Sequence, residues 1–363
     1  MERKAVLQFA AFSAPYGGNF ICSLRRLEEL FAEAGICTVY VFPVAARGLS
    51  WAEQMQNDGA EVFFLEERPA AAASRLRSIF VQYGVMAIHT HFSETKYNLI
   101  LKRALHGKRI AWVRHVHSAY RYAGFWKEPL KRFAEPCDQI IACSSQIAED
   151  MAAHGYAWER ISCVYNGIDF SRLERYEPLA SRQLGIPENA KRILMFGYDV
   201  TIKGIDIALT AIAHLRKKRE VVLLLVAGQN LARVRADIAS RLGGVPEWVV
   251  FLPPREDVAT YYHMADVFLS ASRTEGLCYA LLEAQYCETY VAASRIPGHV
   301  PVASMFECGN AEALAGCLEE AFCLEAEEKS KIIQRQKENM IKCYSAEAWA
   351  QQVREVYRQK LGI

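Results

Sequence analysis

Two glutamates eight positions apart, Glu275 and Glu283, bound the run Glu-Gly-Leu-Cys-Tyr-Ala-Leu-Leu-Glu. Along a helical path, at ~1.5 Å per residue, they would sit roughly 12 Å apart. That is longer than the ~5–10 Å of a hydrolase carboxylate pair. It suits the two ends of an extended ligand whose middle, a diphosphate for example, lies at the helix N-terminus, where N–H groups and the helix dipole favour anions. Taken alone, the spacing also describes an ordinary helix with two solvated acids, the commoner case for so short a match.

Lys203 closes the loop Gly197-Tyr-Asp-Val-Thr-Ile-Lys-Gly204 just before a helical pattern. A lysine there is a point charge suited to phosphate, although on its own it reads as a surface lysine. Gly17-Gly18 precedes the first helix and would let backbone N–H groups approach a phosphate closely, a signal that tight turns also produce. The pair is not G-x-G-x-x-G and no acid ends the second strand, so an NAD site is poorly supported. Histidines occur as two i, i+2 pairs at strand ends, His89 with His91 and His115 with His117. We expect one of each pair in the core and its neighbour toward the crevice. No carboxylate or thiol joins them at ligand spacing, which leaves zinc with little support.

These residues need a scaffold, and the hydrophobic pattern supplies it. Strand 5–12, a glycine loop, helix 20–35 and strand 36–42 read as the first βαβ unit of a doubly wound sheet. Strands 61–65, 85–90, 110–115 and 139–143 follow, separated by helices 70–83, 94–106 and 125–135, with Ser144-Ser145 capping a helix to about 154. A polar stretch, 171–187, reads as a linker. A second sheet pattern then begins with strands 192–196, 221–227, 249–252, 267–271 and 290–293. Three helices end the chain, and the last, 346–361, is placed by its apolar stripe back on the first domain.

Composition excludes several classes. At 363 residues the prior is two domains, and 52% hydrophobic with 23% charged residues is ordinary for a globular enzyme. A formal charge of +2 gives no argument for nucleic acid. Eleven scattered cysteines without C-x-x-C spacing suggest buried thiols in a reducing cytoplasm. No secretory segment or membrane span is expected, so any membrane contact would be peripheral. One stretch, Lys96 to Arg132, carries ten bases against one acid, Glu128, interleaved with Tyr97, Trp112, Tyr120, Tyr122, Phe125 and Trp126. It reads as a solvated basic face, or as a surface for anionic lipid, where each base contributes about 1 kcal/mol.

In order along the chain, these features resemble the GT-B glycosyltransferases of family 4. The matching segments are Gly17-Gly18, Trp112-Val-Arg-His-Val-His117, Val164-Tyr-Asn-Gly-Ile-Asp169, the loop Gly197 to Gly204, Tyr261 to Gly276, the acid pair Glu275/Glu283, and Ser294-Arg-Ile-Pro-Gly-His299. The resemblance implies two Rossmann-like domains facing across a cleft: an acceptor-side domain over 1–170, completed by helix 345–363, and a donor domain over 171–344. It implies retaining transfer of a sugar from a nucleotide-sugar, a UDP-sugar, to a glycan or lipid-linked acceptor in cell-surface polysaccharide assembly. Glu275 would bond donor-sugar hydroxyls and Glu283 the ribose hydroxyls. Lys203, with the N–H groups of Gly17, Gly18 and the Gly276-Leu277 turn, would neutralise the leaving diphosphate. His117 would orient donor or acceptor, or relay a proton.

Without a D-x-D motif, no metal and no cofactor is implied, and the protein would be cytoplasmic, at most peripheral on the membrane. The family's arginine five positions before Lys203 is here Tyr198, with Arg273 or Arg255 as substitutes; its proline before Ser272 is Ala271; its following g-x-x-G has 303–309 as nearest counterpart. The Tyr198 departure leaves a donor-incompetent partner subunit as an alternative, and the same fold also admits a sugar phosphorylase or nucleotide-sugar epimerase.

Overall fold

The computed structural model describes residues 4–66, 68–92, 94–117, 129, 133–134, 136–255 and 257–363. The chain divides into two compact units, Met1–Ile168 with Ala346–Ile363, and Asp169–Ser345. Each is a wholly parallel sheet with helices on its faces.

In the first unit, strands β1 (Ala5–Ala10), β2 (Cys37–Pro43), β3 (Glu61–Leu65), β4 (Val85–His91), β5 (Ala111–Val116), β6 (Gln139–Ala142) and β7 (Ile161–Cys163) align in the order β3-β2-β1-β4-β5-β6-β7. In the second, β8 (Lys191–Phe196), β9 (Val221–Val226), β10 (Val249–Leu252), β11 (Val267–Ser270), β12 (Tyr290–Ser294) and β13 (Ser304–Phe306) align as β10-β9-β8-β11-β12-β13. The two orders are the same doubly wound pattern. Each reverses between its first and fourth strand, and a crevice opens at the carboxyl ends of those strands.

The central strands are nearly continuous apolar runs because both faces are covered. Helix α1 (Gly18–Glu33) packs Leu24, Leu27 and Phe31 inward against the first sheet. The last helix, Ala346–Val356, lies on α1 as its stripe predicts. Trp349, Val353 and Tyr357 join the first unit's core, and the Phe31 and Tyr357 rings meet edge-on at 5.1 Å. A helix at Ser50–Asn57 and strands β7 and β13 were not expected from the pattern; these strands are three residues long, too short to show a period.

Two expectations need correction. The stretch 171–187 is packed rather than a free linker: Phe170 just before it stacks on Tyr286 at 4.2 Å, Tyr176 stacks on His263 at 4.0 Å, and the Thr260 hydroxyl donates to the Glu177 carbonyl. The basic, aromatic stretch is partly interior. Trp112, Arg114 and Tyr97 are buried, with Trp112 Nε1 donating to Thr90 and Arg114 to the Tyr156 hydroxyl. The expected helix 125–135, and most of the bases and aromatics between 118 and 132, lie outside the described residues.

Candidate functional site

The predicted residues gather at the switch point of each sheet. In the first unit, Gly17 and Gly18 follow β1. Gly17 is closely packed, because a Cβ there would stand 3.0 Å from the Ile21 side chain and 3.1 Å from that of Trp51; Gly18 takes φ +52°, a left-handed conformation that glycine adopts freely. No side chain caps α1, which leaves its N-terminal N–H groups to backbone, solvent or ligand.

One histidine pair departs from expectation and the other does not, since His115 is buried and His117 half-buried. His89 and His91 are both fully buried, because residues i and i+2 of a strand share one face. With His115 and His117 they form one imidazole layer, with ring centroids 4.2 Å apart for His89–His91 and 4.1 Å for His115–His117. Burial lowers all four basicities, to about 3 for His89 and about 4 for His117. Each lowered value keeps its ring neutral at pH 7. Phe92, held at φ +52° just after His91, stacks on His117 at 4.7 Å. A bulky residue in that conformation is strained, and such strain clusters at functional positions.

A hydrogen-bonded chain runs through this layer. His91 Nε2 meets Gln8 Oε1 at 2.8 Å, His91 Nδ1 meets His117 Nε2 at 2.9 Å, and His117 Nδ1 meets Asn166 Oδ1 at 2.9 Å. Three links need three hydrogens, and two neutral imidazoles supply two. One terminal amide must therefore offer its NH2. Gln8 Nε2 is buried without a partner, so turning that amide supplies the third hydrogen. Both ring nitrogens of His117 are then engaged, and a proton relay there requires one of these bonds to open. His89, His91 and His115 bring ring nitrogens within 4.8 Å of one another. The described rings tilt or stack, with His89 and His115 8° apart, and the ring nitrogens of His89 and His115 are buried without a hydrogen-bond partner.

In the second unit the switch point is charged. Asp199 Oδ1 accepts from the N–H groups of Thr201 and Ile202 at 3.0 and 2.8 Å, which folds the loop after β8 and delivers Lys203 to its end. Gly204 then turns at φ +66°, so close to β11 that a Cβ would stand 1.9 Å from the Ala271 carbonyl oxygen. Lys203 Nζ donates to Glu275 Oε1 at 2.5 Å, and Ser272 Oγ donates to the same oxygen at 2.7 Å. Burial works against the ammonium, but Glu275's charge and hydrogen bond outweigh it, and the lysine's basicity is raised.

Glu275 stands before the helix, which spans Tyr279–Tyr286, so the two acids do not share one helical path; Gly276 and Leu277 form the bend between them. Glu283, on the helix, is buried and accepts from the Tyr262 hydroxyl at 2.9 Å and from Arg172. The two proposed substitutes for the missing arginine are already engaged. Arg273 forks onto Asp206 at 2.9 and 2.8 Å, and Arg255 onto Asp257 at 2.7 Å for both bonds. Tyr198 is half exposed, with its ring 5.0 Å from Lys203 Nζ.

Sequence reading missed Gln8, Asn166, Arg172 and Gly298. A Cβ at Gly298 would meet the Glu275 carbonyl at 2.3 Å, which makes this glycine, not 303–309, the close approach after β12. The signal was its place inside Ser294-Arg-Ile-Pro-Gly-His299, as Asn166's was its place inside Val164-Tyr-Asn-Gly-Ile-Asp169; Gln8 and Arg172 carry none, because each is defined by partners distant in sequence.

Two Rossmann-like parallel-sheet units, each with its polar residues at the switch point, define the GT-B class of glycosyltransferases. The profile of "Glycosyltransferase Family 4" matches residues 24–172, and that of "Glycosyl transferases group 1" matches 177–339. The chain belongs to the family 4 glycosyltransferases.

A D-inositol 3-phosphate glycosyltransferase of Corynebacterium urealyticum is 28% identical over 77% of this chain and 75% of its own length. One from Streptomyces bingchenggensis is 32% identical over 46% of this chain, a match that spans 39% of that relative. Among solved structures, a Rickettsia africae glycosyltransferase aligns with TM-score 0.81 at 17% identity, covering 99% of both chains. Anabaena HepE, solved with UDP and glucose, aligns with TM-score 0.75 at 17% identity over 98% of this chain and 99% of its own.

Proposed function

We propose that the chain is a retaining glycosyltransferase that moves a sugar from a UDP-sugar to a glycan or lipid-linked acceptor in cell-surface polysaccharide assembly, with no metal required. The observation that carries this reading is the Lys203–Glu275 pair, held at 2.5 Å at the second unit's switch point. A fixed ammonium beside a carboxylate offers one group for a diphosphate and one for a sugar hydroxyl. HepE's complex with UDP and glucose gives a precedent on the same fold.

In this mechanism Lys203 swings from Glu275 to the leaving diphosphate and takes up the charge that develops as the glycosidic bond breaks. Glu275, released, accepts from donor-sugar hydroxyls and holds the ring. Glu283 accepts from the ribose hydroxyls, with Tyr262 as its fixed neighbour and Arg172 as the partner that yields. The N–H groups of the Gly276–Leu277 bend add donors to the diphosphate. His117 contributes a neutral ring held by His91 and Asn166, orienting a substrate hydroxyl. Retention follows if the acceptor hydroxyl enters on the face that the diphosphate leaves, passing its proton to the departing phosphate oxygen.

The test is transfer from a panel of nucleotide-sugars, with the product anomer read by NMR. Lys203→Ala and Glu275→Ala should each lower kcat/KM by roughly 10²–10³-fold, as loss of one charge-stabilising group does elsewhere. Unchanged kinetics in both would remove the site assignment. Phosphate-dependent turnover would indicate a phosphorylase instead, and an epimerised nucleotide-sugar an epimerase. Tyr198 in place of arginine favours the second reading, a donor-incompetent subunit; calorimetry that detects no nucleotide binding would select it.

Peripheral docking on an anionic membrane is a further part of the proposal. An open groove of about 540 Å³ lined by Pro69, Lys96, Tyr97, Leu99, Ile100 and Arg103 combines apolar walls with two bases, a composition suited to an interface. Among the described residues no helix is long and apolar enough to cross a membrane. Flotation with anionic vesicles should be salt-sensitive. Replacing Lys96 and Arg103 should weaken it, and undiminished flotation would exclude that surface.

A further inference from the structure

Beside the Lys203–Glu275 pair lie two groups that the transfer reaction does not use, Cys278 and His299. A Glu275 carboxylate oxygen, the Cys278 sulfur and a His299 ring nitrogen all lie within 4.8 Å of one another. Cys278 and His299 are buried, at 8% and 7% exposure. His299 Nδ1–H donates to the Ser294 carbonyl at 2.8 Å, which leaves Nε2 as the nitrogen with the lone pair. That lone pair accepts from Ser270 Oγ at 2.9 Å, and the same hydroxyl lies 3.7 Å from Cys278 Sγ. Imidazole and thiol thus converge on one small polar group. A histidine whose second N–H is spent on a backbone carbonyl has its tautomer and ring direction set as metal-bound histidines do.

The backbone holds the three groups in register. Cys278 N–H donates to the Gly298 carbonyl at 3.2 Å. Gly298 itself packs so tightly on residue 275 that a side chain would collide with the Glu275 carbonyl. The donor set is also chemically specific. One sulfur, one imidazole nitrogen and one carboxylate oxygen are the ligands that zinc takes in proteins. Thiolate and carboxylate together carry two negative charges, which balance a divalent ion. The histidine layer of the first unit offers no such balance.

We propose that Glu275, Cys278 and His299 form an inhibitory site for a thiophilic divalent cation, with Zn²⁺ the best fitted. On binding, the Cys278 thiol gives its proton to solvent and its sulfur bonds the ion. His299 Nε2 exchanges the Ser270 hydroxyl for the metal, and Lys203 leaves Glu275. Three protein ligands leave the fourth position to water. Glu275 is then withdrawn from the donor sugar and transfer stops. This consequence rests on the reading of Glu275 as a donor-binding residue; the metal site itself does not. Burial first, and then the neighbouring Glu275 charge, pushes the Cys278 thiol up to about 11.

The experiment uses the untagged full chain, cleared of metal with a chelator. Co²⁺ titration should give a thiolate-to-cobalt absorption band saturating at one ion per chain. Zn²⁺ competition against a chromophoric chelator then measures affinity. Cys278→Ser and His299→Asn should each weaken zinc by at least roughly a hundredfold, the upper end of what loss of even an outer-sphere partner costs. Cys278→Ser is nearly isosteric, should keep its circular dichroism and its transfer activity, and should lose inhibition by zinc. Absence of the cobalt band overturns the site. So does a band that survives in Cys278→Ser, which would belong to exposed thiols such as Cys163 and Cys323. Zinc bound with both variant effects but with transfer unaffected would uphold the metal site and overturn the role given to Glu275.

Discussion

The two switch points sit at the same place in the same strand order and handle buried polarity in opposite ways. At the carboxyl ends of β4 and β5 the first unit stacks four neutral imidazoles. After β8 and β11 the second pairs full charges, Lys203 with Glu275 and Arg172 with Glu283. The difference follows from what each group gives up when it leaves water. An imidazole loses its proton near neutrality at small cost, so burial simply neutralises it. Lysine and glutamate would need several pH units to do the same, so they stay charged and must find partners. The first unit can therefore present shape and neutral hydrogen bonds to a ligand, and the second can present charge.

The largest test of the charged side is Gly204→Ala. The added methyl would stand 1.9 Å from a backbone carbonyl at a left-handed φ, so neither side chain nor rotamer can relieve it. We expect a loss of about 4 kcal/mol or more in denaturant unfolding. A variant of native stability would show that the lysine loop is not clamped to β11. Next is Glu283→Ala, which leaves Arg172 and the Tyr262 hydroxyl without their acceptor. Breaking a buried pair costs about 3–5 kcal/mol, and the partial exposure of Arg172 places this one near the lower end, about 3 kcal/mol. Stability within a few tenths of wild type would mean that the carboxylate is kept for ligand alone.

The neutral side is tested by pH. The folded histidines have basicities below the unfolded value of about 6.5. Between about pH 6.5 and 4 the unfolded chain therefore binds more protons than the folded one. Stability is complete above pH 6.5 and drains as the pH falls, at up to about 1.4 kcal/mol per pH unit for each histidine. His89→Asn should flatten the slope measured between pH 6.5 and 5 by about one proton; an unchanged slope would mean that this ring is not neutral in the fold.

The smallest expected effect is a gain. Tyr198→Arg restores the fork-shaped cation that the loop lacks, and donor KM should fall by about tenfold, in line with one charge-assisted hydrogen bond. No change in KM would mean that Tyr198, stacked near Lys203, already fills that role.

Much of this was legible in the sequence because it is written in local patterns. Alternating strand and helix periods defined the two sheets, and the amphipathic stripe of Trp349, Val353 and Val356 placed the last helix on the first unit. The glycine pair, the lysine loop and the glutamates were legible by type and order. Other features were not. Glu275 and Glu283 looked like two ends of one helix, and the bend at Gly276–Leu277 separated them. The i, i+2 histidines looked divided between core and crevice, which holds for His115 and His117, yet His89 and His91 are both buried on one face of β4.

The sequence by itself determined which groups could carry charge and which stretches must be buried, because hydrophobic period and residue type act over a few neighbours. Only the tertiary structure decided how those charges are spent. Tertiary packing brings together residues 26 to 111 positions apart, such as His91 with His117 and Arg172 with Glu283. Whether an arginine is free for a phosphate or already forked onto an aspartate, as Arg273 is on Asp206, depends on partners that no local pattern encodes.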